Sequence, residues 1–188
     1  MNKKVRNLVG VALLTAIVVV LQLLGGGIKV GVFSISLVLV PIVVGAAVYG
    51  WWAGAWLGFA FGTTVLLTGD AAPFMSISIP GTIVTVLLKG IGCGLCAGLV
   101  YKLCARKSRM LGAYAAAVVC PIVNTGVFLI GCRLFFFAEI SKWGADAGFE
   151  NSLAYMFIGL AGVNFLLELG VNIVLSPVIT RLIRIGRK

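Results

Sequence analysis

The sequence predicts an all-α membrane protein, a six-transmembrane-helix bundle with both termini cytoplasmic, and three observations carry that prediction. Apolar residues make up 61% of the 188 residues, and mean hydropathy is +1.17, against about 45–50% apolar in soluble domains. The apolar residues fall in long runs of the length a spanning helix needs, about 20 residues. The basic residues are gathered at three places: Lys3, Lys4 and Arg6; Lys102, Arg106, Lys107 and Arg109; and Arg181, Arg184, Arg187 and Lys188. Those eleven of the fifteen Lys and Arg fall on one side if six spans separate them, which is the positive-inside bias. The whole chain, 1–188, reads as a single integral membrane domain.

The elements follow in order. Residues 8–24 form the first span. Its basic start resembles a signal peptide, but the apolar run passes into Gly25-Gly26-Gly27 with no Ala-x-Ala cleavage pattern, so an uncleaved span is expected. A loop at 28–32 leads to a second span over 33–49, with Pro41 as a kink. Gly50-Trp51-Trp52 reads as a tight interfacial turn, since tryptophan favours the headgroup level. The third span covers 53–67, and 69–80 is an outside loop with one acid, Asp70. The fourth span is 81–103, followed by the basic loop. The fifth is 111–137 and contains Pro121. Residues 139–152 are the most polar outside stretch, with Lys142, Asp146 and Glu150, and 153–179 is the sixth span.

Several function classes drop out. A net charge of +10 would suggest nucleic acid in a soluble protein, but here it is explained by topology, and no soluble surface is expected to dock nucleic acid. The chain has no histidine, which removes Ser-His-Asp and Cys-His catalysis and most zinc sites. Five cysteines within apolar segments are not a disulfide framework. Cys93 and Cys96 do form a C-x-x-C, so a membrane thiol oxidoreductase is one rival reading. Midway along an apolar helix, however, thiolate formation is disfavoured, and cysteines three apart on a helix suit disulfide geometry poorly. A self-sufficient small transporter is the other rival. No catalytic residue, metal or cofactor is expected in this chain.

Small residues recur at a spacing of four: Ala46, Gly50, Gly54, Gly58 and Gly62, then Gly90, Gly94 and Gly98. Such stripes let helix backbones approach closely, so packing within the bundle is expected. Ala12 and Ala16 form a further small pair, too common in membrane helices to carry meaning alone.

The sharpest signal is buried charge. Lys89 and Glu168 lie deep inside apolar segments, where an ionised side chain costs about 2.5–3.5 kcal/mol on insertion scales. Asn164, Glu168 and Asn172 are spaced four and four and so share one helix face. At 1.5 Å per residue, Lys89 lies about 13 Å, Asn164 about 16 Å and Glu168 about 22 Å from the outer ends of their helices. Asn124, beside Pro121, is at comparable depth, and Arg133 lies nearer the outside. Two arrangements fit. A Lys89–Glu168 ion pair with amide bonds could tie helices together. Alternatively, Lys89, Asn124 and Asn164 converge as a ligand pocket with Glu168 below them. The number of polar groups favours the pocket, for a small molecule carrying a carboxylate or several hydroxyls. Residues 25–32 and 70–80 would form lids over it, and Phe135, Phe136 and Trp143 an apolar rim.

Over nearly its whole length the chain resembles the substrate-binding S components of energy-coupling factor (ECF) vitamin transporters. The resemblance lies in the order and spacing of several stretches. These are Leu39-Val40-Pro41-Ile42-Val43-Val44-Gly45-Ala46, Gly54-Ala55-Trp56-Leu57-Gly58-Phe59, Pro80-Gly81-Thr82 leading into Leu88-Lys89-Gly90, and Cys120-Pro121-Ile122-Val123-Asn124-Thr125-Gly126. The wording is most similar to pantothenate-type members. The resemblance implies a non-enzymatic subunit in the cell membrane that binds a vitamin in its outer half, through the outside loops and spans four to six, where the candidate residues Lys89, Asn124, Arg133, Asn164, Glu168 and Asn172 independently fall; Lys89 or Arg133 would suit a carboxylate. It implies that Ala12 and Ala16 dock against a transmembrane T component. It also implies two cytoplasmic ATPase subunits that use ATP, since this chain has no Walker A loop.

Overall fold

The computed structural model describes residues 2–25, 29–30, 33–34 and 37–186. The chain is helical nearly throughout. α1 spans Lys3–Gly25, and a two-residue hairpin, β1 Lys29–Val30 and β2 Phe33–Ser34, pairs Val30 opposite Phe33. Next come α2 Leu39–Tyr49, α3 Trp51–Thr68, the short α4 Ala72–Met75, α5 Ile79–Cys104 and α6 Arg109–Phe135. α7 Phe137–Asp146 and α8 Ser152–Ala154 follow. A π-helical turn, Tyr155–Leu160, then leads into α9 Gly162–Gly186.

Among the described residues, four helical stretches are long and apolar enough to cross a membrane: Lys4–Gly25, Ile79–Cys104, Arg109–Phe135 and Ser152–Ile183. Bare hydrocarbon covers the outside of the bundle, with Leu8, Leu67 and Val174 all more than two-thirds exposed. That surface suits lipid, which covers such area at no cost.

Sequence and structure part company at several boundaries. The second span, expected over 33–49, is helical only from Leu39, because β2 occupies its start. Pro41 therefore falls in the first turn of α2, where a missing N–H breaks no hydrogen bond, and it is not a kink. Trp51 and Trp52 are the first turn of α3, stacked at 4.2 Å between ring centroids. The turn itself is Gly50 alone, whose φ of +99° is reached readily only by glycine. The expected outside loops are largely structured, as α4 and α7. The lid expected over 25–32 lies mostly outside the described residues.

The glycine stripes pack as their spacing predicts. α3 and α5 run antiparallel in backbone contact: a Cβ added at Gly58 would fall on the Gly90 carbonyl oxygen, and one at Gly94 on that of Gly54. Gly62 faces the Val86 carbonyl, and Gly98 faces Trp51. The adjoining core is built of small and branched residues, among them Ile42, Ala46, Leu57, Cys93, Ala97, Ala113 and Ala117, all essentially buried.

Candidate functional site

The neighbouring side of α5 differs in character. There Lys89 faces α6, and the two helices meet α9 around a cavity lined by Lys89, Asn124, Thr125, Phe128, Leu160, Ala161 and Asn164. Measured to water centres the cavity is about 30 Å³, room for a water or two. A larger ligand requires its walls to separate.

Local structure explains how these side chains meet. Pro121 sits inside α6 one turn before Asn124 and Thr125. The π turn ends at Leu160, and the Ala161 N–H bonds back to the Met156 carbonyl at 3.2 Å. Such wide turns shift the register of the helix beyond them, and here the shift falls at Leu160, Ala161 and Asn164, on the cavity wall. Lys89 needs no special backbone, because it sits mid-helix in α5 beside the small Gly90.

Glu168 is 2% exposed and does not line the cavity. It lies behind the two asparagines, accepting from Asn124 Nδ2 on Oε2 at 3.3 Å and from Asn164 Nδ2 on Oε1 at 3.1 Å. Asn172 is deeper along α9. Its Nδ2 donates to the Glu168 backbone carbonyl at 2.8 Å, and the Ser176 hydroxyl donates to the Asn172 carbonyl at 2.8 Å. The ion pair that the sequence allowed is not formed. Among the described residues Lys89 makes no hydrogen bond or salt bridge, and its ammonium sits 5.6 Å from the Phe61 ring centroid and 5.4 Å from that of Phe128. Two aromatic faces stabilise a cation there while leaving its three N–H donors available.

Arg133 is not part of this group. It is exposed, with its guanidinium stacked 3.9 Å from the Phe137 centroid. The acid-base pair Glu139–Lys142 is a solvent-side contact along one helix at 2.6 Å. Thus the structure brings Lys89, Asn124 and Asn164 to one cavity, puts Glu168 and Asn172 behind it, and leaves Arg133 outside.

An aromatic cluster packs at the end of the bundle that carries α4 and α7, and it shares Phe128 with the cavity. Phe74 of α4 meets Phe128, Phe136 and Trp143 edge-on, at 5.2–5.8 Å between centroids. Of the rim expected from Phe135, Phe136 and Trp143, none lines the cavity: Phe136 and Trp143 pack on Phe74, and Phe135 is exposed; sequence reasoning passed over Phe74, Phe61 and Phe128. A second omission is Gln22. It is buried in α1 and donates to Asp70 Oδ2 at 2.8 Å, the same oxygen that accepts from the Thr68 hydroxyl at 3.0 Å. That clasp ties the end of α1 to the turn before α4.

The two remaining motifs also have places. Cys93 and Cys96 are free thiols, and Cys93 is fully buried with its Sγ donating to the Gly90 carbonyl at 3.1 Å. Ala12 and Ala16 are exposed on α1, on the side turned away from its buried residues Val18 and Gln22.

Comparison with known proteins decides the family. Residues 6–180 match the family model for the substrate-specific component of ECF transporters. The chain belongs to that family. This S-component family is a transporter family and not a family of enzymes, and the protein is a multi-pass protein of the cell membrane. One relative, the pantothenic acid transporter PanT of Lactococcus lactis subsp. cremoris (strain MG1363), is 27% identical over 195 aligned positions, 95% of this chain and 93% of that protein. No solved structure matches the chain significantly.

Proposed function

We propose that this S component captures pantothenate outside the cell and hands it inward with a T component and two cytoplasmic ATPase subunits. The observation that carries this reading is the cavity at Lys89, Asn124 and Asn164. There, an ammonium that makes no salt bridge among the described residues lines a cavity with two amides. Placing an ammonium at that depth is costly unless something polar meets it, and a carboxylate ligand would supply the missing charge. The relative named for pantothenic acid supports the choice of vitamin. The carboxylate would rest on Lys89, the remainder against Asn124, Asn164 and Thr125, with Glu168 and Asn172 supporting from behind. Because the cavity is small, loading would require its walls to separate.

In this reading α1, α2 with the segment before it, α3, α5, α6 and α8–α9 make six passes, and both termini lie in the cytoplasm. The grouping of basic residues supports it. At 11 residues, α2 is about 16 Å long, so its pass needs the preceding chain as well. The exposed small face at Ala12 and Ala16 suits close approach of a partner helix. ATP would be used by the partner subunits and not by this chain.

The test is to purify the protein in detergent, identify by mass spectrometry what leaves with it on denaturation, and titrate the emptied protein with pantothenate. Recovery and tight binding of pantothenate are expected. A different metabolite in the bound fraction, or no binding, overturns the assignment. Ala16→Trp should abolish uptake by cells with all subunits present while binding by the purified chain persists, and loss of both would count against the docking role.

A further inference from the structure

The basic end of the bundle holds a second cavity, where α6 begins and α9 ends. It is lined by Ser108, Arg109, Met110, Thr180 and Ile183. Measured to water centres it is about 210 Å³, against about 30 Å³ beside Lys89. Arg109 opens one membrane-crossing stretch and Ile183 closes another, so the cavity sits at the level where both helices leave the hydrocarbon. Its charged wall is uncommitted. Arg109 is exposed and makes no hydrogen bond or salt bridge among the described residues, and the Ser108 hydroxyl makes no capping bond to α6. Lys102, Arg106, Lys107 and Arg181 stand nearby in the chain, whereas the five acids are Asp70, Glu139, Asp146, Glu150 and Glu168. Four of those acids lie at the α4–α7 end, and the 27 residues of α6 hold the two ends about 40 Å apart. Glu168 is midway along α9 and engaged by two asparagines. The anion that meets Arg109 must therefore come from outside the chain.

We propose that this seam between α6 and α9 binds the phosphate headgroup of an anionic phospholipid. The positive-inside bias explains why basic residues gather at this end, but it does not call for a cavity with an arginine on its wall. Basic pockets between spanning helices on the cytoplasmic side are where anionic headgroups settle. The lining is also mixed in a way that suits an amphiphile: Arg109 and Ser108 offer donors to a phosphate, and Met110 and Ile183 offer apolar contact to the glycerol backbone and the first methylenes of the acyl chains. A free phosphate ion carries the same charge but has nothing to place against Met110 and Ile183. The level of the site in the bilayer follows from the two helix ends; only its assignment to the cytoplasmic leaflet rests on the six-pass reading. A lipid held there would tie α6 to α9 and, by binding the folded state, stabilise it.

The test uses the full-length protein in detergent, titrated with phosphatidylglycerol, with zwitterionic phosphatidylcholine or inorganic phosphate in parallel. Retained lipid is counted by native mass spectrometry, and the melting temperature is followed. Phosphatidylglycerol should stay bound and raise the melting temperature, and the other two should do neither. Arg109→Gln should weaken phosphatidylglycerol binding about tenfold or more, equivalent to about 1.4 kcal/mol. Arg106→Gln removes the same charge three residues away, outside the cavity lining, and should cost clearly less. Thr180→Leu fills the cavity and leaves every charge in place; it should lose phosphatidylglycerol while melting normally in phosphatidylcholine. If that variant melts early, Ser108→Ala at its exposed position is the second neutral change, with a loss of a few-fold expected. Equal losses in the two arginine variants, with the neutral variants binding like the wild type, would mean attraction to the basic surface as a whole and would overturn the site. Inorganic phosphate that raises the melting temperature as phosphatidylglycerol does would make the ligand a soluble anion and overturn the lipid assignment. A protein that neither retains phosphatidylglycerol nor melts higher with it overturns the proposal outright.

Discussion

α5 has two faces that solve opposite problems. Toward α3 it presents Gly90, Gly94 and Gly98, with backbone against backbone and no room for a single methyl group. Toward α6 and α9 it presents Lys89 beside a cavity, two amides and a carboxylate. The first face gains its stability from van der Waals contact, which in lipid must replace the hydrophobic effect. The second also packs closely in part, a Cβ added at Gly131 falling on Thr85, but around Lys89 it gives way to a small cavity and to polar groups that are only partly satisfied within the protein. Set side by side, they suggest a division of labour: α3 and α5 form the fixed frame, and the α6 and α9 wall is the part whose packing a ligand can complete.

The largest effect should come from breaking the fixed face. Gly58→Leu forces a side chain onto the Gly90 carbonyl, where neither helix has a flexible atom to move aside. The expected cost exceeds the ~1–3 kcal/mol of ordinary overpacking, and the protein should fail to elute as a folded monomer in detergent. Gly170→Leu is the control: nothing lies within 4 Å of a Cβ there, so elution and melting should be unchanged. Equal behaviour of the two variants would mean that the α3–α5 contact is not what holds the frame.

The next effect should fall on the polar face and spare the fold. Lys89→Met keeps the side chain long and unbranched and removes the charge. Since Lys89 makes no salt bridge among the described residues, melting of the empty protein should change little. Affinity for a carboxylate ligand should fall about 10- to 150-fold, the equivalent of one charge-assisted hydrogen bond of ~1.5–3 kcal/mol. A large drop in melting temperature with affinity preserved would make Lys89 a structural cation instead.

These two faces were unequally legible in the sequence. Glycine at every fourth position announces close helix contact, because few other roles need a missing side chain at that spacing. Lys89, Glu168 and the asparagines announce themselves because charge and amide groups are conspicuous against hydrocarbon. Phe61, Phe74 and Phe128 gave no such signal, since one phenylalanine among eleven looks the same whether it faces lipid, core or a lysine. Arg133 misled for a related reason: depth along a helix does not say which way a side chain turns, and Phe137 offered it a surface away from the cavity. The π turn was hidden as well, because Tyr155–Leu160 has the composition of any apolar helix. Pro41 was placed in the wrong part of its helix because the start of α2 depends on the hairpin before it, a contact between segments and not a property of either.

The smallest effect should come from the residue that belongs to both faces. Phe61 of α3 is 2% exposed and part of the packed core, yet its ring centroid lies 5.6 Å from the Lys89 ammonium. If the two faces act separately, Phe61→Leu should divide its consequences between them. The lost ring volume should destabilise the empty protein by on the order of 1 kcal/mol, the lost transfer free energy plus the cost of the space left behind. The lost cation–π contact, worth ~0.5–2 kcal/mol, should let the ammonium shift, and Phe128 on the other side should limit that shift so that affinity falls only a few-fold. Phe128→Leu gives the complementary measurement. If the frame is rigid, the effects of the two substitutions on binding should be more than additive, because either ring alone can still hold Lys89. Additive effects would mean that each ring acts only through packing, and the boundary between frame and site would then lie at Lys89 itself rather than at Phe61.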